Sequence, residues 1–146
     1  MPTAARLVAA LLLAAFAWII SDMVRPLMPE GTAFGRFNFV NAFIGLCIGW
    51  VAMGSRAGRG LVPGINNGIT GVALLFIWGL AVHSSMEMFR LAMRNRYDGP
   101  LEAFTSIFLI ASEFGLMIVT APIILTSVAG AVVIGCLTEF ASKRWR

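Results

Sequence analysis

Three runs of this chain, Phe37 to Ser55, Gly60 to Met86 and Phe114 to Thr138, carry no charged residue over 19, 27 and 25 positions. A helix rises about 1.5 Å per residue, so about 20 apolar residues cross a hydrocarbon layer of roughly 30 Å. The first run is a span, the second a span with residues to spare, and the third a span with more apolar chain ahead of it. Composition agrees: 59% of the 146 residues are hydrophobic and 12% charged, against about 25% charged in a soluble domain. The chain belongs in a lipid bilayer.

The net charge of +4 is spread over loops and termini. It forms no basic stripe with interleaved aromatics, so it sets membrane orientation and implies no nucleic-acid partner. Cys47 and Cys136 sit inside apolar runs, form no CxxC pair and have one histidine in the whole chain for company. That argues against a zinc site and a disulfide framework and reads both thiols as small buried apolar groups, the alternative being a thiol that reacts with an oxidant or a soft ion. No metal site and no cofactor is expected.

The N-terminal stretch imitates a secretory signal, with Arg6, the apolar run Leu7 to Ile20 and Ala15-Phe16-Ala17. Its apolar character continues through Trp18, Ile19 and Ile20, which makes it an uncleaved first span over about 4–24. Pro26, Pro29, Gly31 and Gly35 then mark a loop. The second span covers about 37–54, where Asn41, Gly45 and Gly49 recur every four residues on one helix face. Small residues allow close helix approach, and an asparagine there can hydrogen-bond across the contact.

MGSRAGRG, a basic and glycine-rich elbow, leads into INNGITG and the third span, about 64–84. Gly68 and Gly71 continue a small-residue face with Gly64 and Gly79, a groove suited to the glycine face of the second span. Asn66 and Asn67, at the start of this span, are positioned to cap free backbone N–H groups. Arg56 and Arg59, with Asn66 and Asn67, are candidate contacts for anionic lipid headgroups, and with free N–H groups at the start of the third span the arginines are also candidates for a small oxyanion site.

Val82, Met86, Phe89, Met93 and Tyr97 continue an apolar stripe past the third span, with Glu87, Arg90 and Arg94 on the other side. Asp98-Gly99-Pro100 stops that helix, and Pro100 with Glu102 opens the next. Leu101 to Phe140 is then nearly continuous apolar chain. As one helix of 40 residues it would be about 60 Å long, twice the hydrocarbon thickness. The preferred reading is a kink at Pro122, with a fourth span over about 117–139 and a helical hairpin over 85–116 that lies along or beyond the bilayer. The alternative splits the stretch into two spans. The fold is therefore an all-α, single-domain, four-span membrane protein whose last two helices are long.

Four spans put Arg6, Arg56, Arg59, Lys143, Arg144 and Arg146 on one side and Arg25, Arg36, Arg90, Arg94 and Arg96 on the other. The short elbow and the basic tail lie directly beside span ends, which favours both termini in the cytoplasm. If the helices flanking Asp98-Gly99 pair as a hairpin, His83 comes level with Glu113 or Phe114. A structural hydrogen bond or ion pair is one reading, and a proton-relay or cation site built from His83, Glu87 and Glu113 is the other.

The opening MPTAARLVAALLLAAFAWIISDMVRPLMPEGT, the elbow MGSRAGRG with INNGITG, the RYDGP turn with Glu102 behind it, and LTEF before a basic tail together resemble the TrgA-type proteins. These are small integral membrane proteins of proteobacteria associated with tellurite resistance. Leu109 stands where that family's pattern has a second acidic residue ahead of Glu113. The resemblance implies a multi-pass protein of the bacterial inner membrane, without catalytic residues to carry over, that contributes to tellurite tolerance; exclusion or transport of the oxyanion is one mechanism for it. The alternative is an accessory or assembly subunit of a larger respiratory or photosynthetic membrane complex. Partners on these readings are the bilayer, tellurite, and further copies of the chain or other membrane subunits.

Overall fold

The computed structural model describes residues 3–28 and 35–145. Pro29 and Gly31 of the first loop and Arg146 of the tail lie outside the described residues. Helix α1 runs Ala4–Val24 and ends in a 3-10 turn, Arg25–Leu27. Thr3 caps it by accepting from the Arg6 backbone N–H at 3.3 Å. Helix α2 runs Phe37–Ile48 and passes through a π turn, Gly49–Met53, into a 3-10 turn, Gly54–Arg56. Helices α3, α4 and α5 span Leu61–Ala92, Pro100–Ile118 and Ala121–Arg144. No strand occurs among the described residues.

Five helices, one more than the four expected, are long and apolar enough to cross a membrane. The additional one comes from the Leu101–Phe140 stretch, which is two helices instead of one kinked helix. In an unbroken helix the Pro122 ring would run into the carbonyl of Ile118. The chain instead leaves the helix at Val119, goes extended at Thr120 (φ −123°, ψ 154°) and restarts with Pro122 in the first turn.

The glycines show which helices meet. On α2 and the two turns that continue it, a Cβ added at Gly45 would lie 2.7 Å from the Leu13 carbonyl oxygen, one at Gly49 would press into the Ala9 carbonyl, and one at Gly54 would lie 2.5 Å from the Arg6 Cα. On α3, a Cβ at Gly64 would lie 3.1 Å from Glu139 Cβ, and one at Gly68 would overlap the Ala131 carbonyl. The expected pairing of the two glycine faces with each other therefore does not occur. The α2 glycines lie on α1, and Gly64 and Gly68 of α3 lie on α5, while Gly79 faces Asn41 of α2. Gly71 receives Met53, which the π turn directs inward and which is fully buried.

These contacts also give the direction of each helix. Gly64 near Glu139 and Gly68 near Ala131 make α5 antiparallel to the first half of α3. Gly115, whose added Cβ would meet Leu80 Cδ1 at 3.8 Å, makes α4 antiparallel to the second half. So α4 and α5 run in the same direction along α3, which at 32 residues is about 48 Å long. The N-terminus, elbow and C-terminus share one end, with Arg6 beside Gly54 and Ser142 beside Gly58. Between the ends the core is apolar, built from Ala9, Leu13, Phe16, Met53, Val72, Leu75 and Ile123.

At the far end α3 stops at Ala92, a turn short of Tyr97, and the chain reverses through Asn95 in a left-handed conformation (φ 54°). The Asp98 backbone N–H donates to Glu102 Oε2 at 2.9 Å, so the first-turn carboxylate reaches back to the turn ahead of it.

Candidate functional site

Two polar sites interrupt the apolar bundle, one at each end. At the end away from the termini, His83 Nε2 lies 2.8 Å from Asn41 Oδ1, Asn41 Nδ2 donates to Ser21 Oγ at 2.8 Å, and Ser21 Oγ donates to the Ala17 carbonyl at 2.7 Å. These bonds join α3, α2 and α1. A carbonyl oxygen only accepts, so the Ser21 hydroxyl hydrogen is committed to Ala17. The Ser21 oxygen must then accept from the Asn41 amide, which leaves Asn41 Oδ1 as the acceptor for His83. His83 carries its proton on Nε2. The chain of donors ends on a backbone carbonyl and has no onward exit for a proton, which makes it a clasp.

Asn41 was a packing candidate on the α2 glycine face, and this clasp is where it is used. Replacing it with leucine removes two side-chain bonds and leaves the His83 N–H without its acceptor. Interhelical bonds in bilayers contribute about 0.6 kcal/mol each on average and up to about 1.7. Asn41→Leu is expected to destabilise the protein by about 1–3 kcal/mol, read as a lower midpoint for thermal unfolding in detergent.

The structure does not bring His83, Glu87 and Glu113 together. Glu87 pairs with Arg90 on its own helix. Glu113 is exposed, and its neighbour Phe114 is the α4 residue that faces the space beside His83. That space is a cleft lined by α1, α2, α3 and α4, with the Phe37 ring 4.6 Å from the His83 ring. No cluster of three or more metal-binding side chains occurs among the described residues.

The second polar site is the elbow. Gly58 (φ 95°) and Gly60 (φ 120°) hold left-handed conformations that side chains rarely adopt. In this conformation the elbow turns its N–H groups inward, where an anion would sit. The anion is the protein's own. The Gly58 N–H donates to Glu139 Oε2 at 2.8 Å and the Gly60 N–H to Glu139 Oε1 at 2.7 Å, with Lys143 Nζ at 3.9 Å from Oε1. Glu139 is 3% exposed, a buried charge made tolerable by these donors.

Arg56 and Arg59 point outward and are exposed. The N–H groups that Glu139 occupies, those of Gly58 and Gly60, lie just ahead of the start of α3 at Leu61. Asn66 and Asn67 do not cap α3, because the helix starts six residues ahead of Asn67, at Leu61. Asn66 is exposed, whereas Asn67 is buried and donates to the Met53 carbonyl at 2.7 Å, where the α2 helix is changing its hydrogen-bond pattern.

Sequence reasoning assigned no role to Glu139. The signal available was a carboxylate at the end of an apolar run, one turn before the basic tail, with a Gly-Arg-Gly elbow elsewhere in need of an acceptor. Comparisons with protein-family models, with curated proteins and with solved structures find no match for this chain.

Proposed function

We propose that this chain is a non-enzymatic, four-span protein of the bacterial inner membrane that contributes to tellurite tolerance as an accessory or assembly subunit of a larger membrane complex, respiratory or photosynthetic. Arg6 and Arg25 bracket α1, and Arg36 and Arg56 bracket α2. Each pair is separated by about 20 residues, the length that crosses the hydrocarbon. His83 is level with Ser21, near the outer bracket, so α3 leaves the hydrocarbon soon after it. The Glu87–Arg90 pair, Arg94, Arg96 and most of α4 then lie outside. Both termini and the elbow lie on the cytoplasmic side, where the basic groups next to span ends are most closely grouped.

The observation that carries the accessory role is the projecting α4. Leu101, Phe104 and Phe108 follow one another along its outer side and are 77%, 57% and 64% exposed. On a helix standing in water such a stripe marks a surface that another protein covers. Oxyanion transport is favoured less, because a path from Arg56 and Arg59 would have to pass through Leu13, Phe16 and Leu75, which close the centre of the bundle.

Gentle-detergent purification followed by mass spectrometry of co-purifying proteins tests the role. The expected result is a stoichiometric membrane complex that is lost, together with tellurite tolerance, on changing Phe104 and Phe108 to serine. A lone homo-oligomer that moves tellurite across proteoliposomes would replace this reading with transport.

A further inference from the structure

We propose that the cleft between the start of α1, the elbow and the end of α5 binds a phosphate ester, and its position favours the headgroup of an anionic phospholipid as the source. The inference takes from the topology above only that this cleft lies at a span end, and it does not depend on the accessory role. Three chain segments meet there. The Arg6 stem lies against Gly54, where an added Cβ would be 2.6 Å from Arg6 Cγ, and a Cβ added at Gly58 would be 3.7 Å from Ser142 Oγ. Beside these contacts is a cleft of about 510 Å³, within the roughly 300–1,000 Å³ typical of small-molecule sites. Polar atoms line it as much as apolar ones do.

Charge at this end is unbalanced. Segments 1–21, 53–71 and 121–146, which build it, carry six cations and one carboxylate, Glu139. That carboxylate is already held by the Gly58 and Gly60 N–H groups, with Lys143 at 3.9 Å. Arg6 lines the cleft, is half-buried, and has no acidic or hydrogen-bonding partner for its guanidinium among the described residues. An unpaired guanidinium in a cleft is an anchor for an anion. Further donors stand around it. Thr3 Oγ1 accepts from the Arg6 backbone N–H, which leaves its own hydroxyl hydrogen to donate. The Ala4 and Ala5 N–H groups open α1 and have no helix carbonyl ahead of them to bond. Ser55 and Ser142 add no donor, because their hydroxyls are spent on the Val51 and Glu139 carbonyls. Guanidinium, hydroxyl and N–H donors together match the several acceptor oxygens of a phosphate better than the two of a carboxylate.

The level of the cleft points to a lipid. Arg6 is the last charge before the apolar run Leu7 to Ile20, so the cleft lies where headgroups begin. Trp145, also in its lining, is of the type that collects at that level. Leu7 and Leu11 are exposed along α1 from this point inward and offer a surface to an acyl chain. An anionic phospholipid can therefore set its phosphate in the cleft while its tails stay in the bilayer. A zwitterionic headgroup would bring a second cation to a site that already holds Arg6.

Native mass spectrometry of the full chain in mild detergent, titrated with dioleoyl phosphatidylglycerol or dioleoyl phosphatidylcholine, tests this. Wild type should take up one phosphatidylglycerol about fivefold more tightly than phosphatidylcholine, the effect of one basic group at the membrane surface. Arg6→Gln keeps the stem on Gly54 and removes the charge. Ala57→Phe adds bulk to the cleft wall at an ordinary extended residue (φ −70°, ψ 157°) and leaves the charges alone. Each should abolish the preference, and Arg6→Lys should keep most of it. The Arg56→Gln, Arg59→Gln double variant should keep it too, since neither arginine lines the cleft. Unfolding midpoints without added lipid show which variants are folded. Glycerol phosphate separates the two sources: if it displaces phosphatidylglycerol from wild type the ligand is the free ester, and if the lipid stays bound the ligand is the headgroup with its tails. Wild type that neither prefers phosphatidylglycerol nor binds glycerol phosphate would overturn the proposal. So would a preference that survives in folded Arg6→Gln or Ala57→Phe protein.

Discussion

Gly68→Val is expected to separate α3 from α5 and to cost the protein its folded bundle. A Cβ at position 68 would overlap the Ala131 carbonyl oxygen and stand 3.0 Å from the Gly135 Cα. Both are backbone, so no side chain can turn aside, and relief requires the helices to move apart. Overpacking a core costs about 1–3 kcal/mol where side chains can adjust. Here the same movement also opens the contact of Gly64 with Gly135, so the loss should reach about 3 kcal/mol or more, a large share of the 5–15 kcal/mol by which domains are stable. In lipid the effect is sharper than in water, because spans are held together by packing and not by exclusion from water. The measurement is thermal unfolding in mild detergent, with size-exclusion chromatography to detect aggregation. Gly99→Ala is the control, since nothing lies within 4 Å of an added Cβ and its φ of −171° is ordinary extended backbone. It should change the midpoint little.

Glu139→Ala should release the elbow. The Gly58 and Gly60 N–H groups lose a charged acceptor, and a hydrogen bond to a charged group contributes about 1.5–3 kcal/mol. Gly58 is exposed and water can replace part of its bond, so the net loss should be about 2–4 kcal/mol. Glu139→Gln should recover only part of it: an amide offers one acceptor oxygen, and its NH2 group would face one of the two donors. The local readout is limited trypsin digestion of protein in detergent. Cleavage after Arg56 and Arg59 should be at least tenfold faster in Glu139→Ala than in wild type, with Glu139→Gln between them. Equal cleavage rates would mean that the carboxylate does not hold the elbow. Of the polar replacements, this one should exceed Asn41→Leu, because it removes an ionised acceptor and leaves two backbone donors to be satisfied.

What was legible in the chain follows from how local each signal is. Charge-free runs and the Pro100 and Gly99 stop signals depend on neighbouring residues, and they placed α1, α2 and α3 closely. Pro122 indicated an interruption, but not whether it would be a bend or a break. Clearance of the Ile118 carbonyl favoured the break, which brings the number of helices able to span to five. The glycine faces were legible as faces, whereas their partners were not. A small-residue stripe says that some backbone approaches closely and carries no label for which one, so Gly45 and Gly49 could face α1 while Gly64 and Gly68 face α5.

The candidate site shows the same division. Counting from the Asp98-Gly99 turn put His83 level with Glu113 or Phe114, and helical rotation decided which of these two faces it. Phe114 does, and Glu113 is exposed. The true partner of His83, Asn41, is 42 positions away, and Glu139 is 81 from Gly58. Pairings at that range depend on how helices pack, which no local pattern in a single sequence encodes. The elbow was read as a place for an anion, and its geometry is that of an anion cradle, filled from within the chain.

On the proposed topology α4 and α5 are separate helices, α5 crossing the bilayer and α4 standing beyond it on the side opposite the elbow. Single cysteines test this after Cys47 and Cys136 are replaced by alanine, one introduced at Thr105 on α4 and one at Ser55 in the elbow, both exposed positions. Labelling uses a membrane-impermeant maleimide on spheroplasts, before and after permeabilisation. The account predicts that Thr105→Cys labels on intact spheroplasts and Ser55→Cys only once they are permeabilised. A Thr105→Cys protein that stays unlabelled in both conditions, or that labels only together with Ser55→Cys, would contradict it.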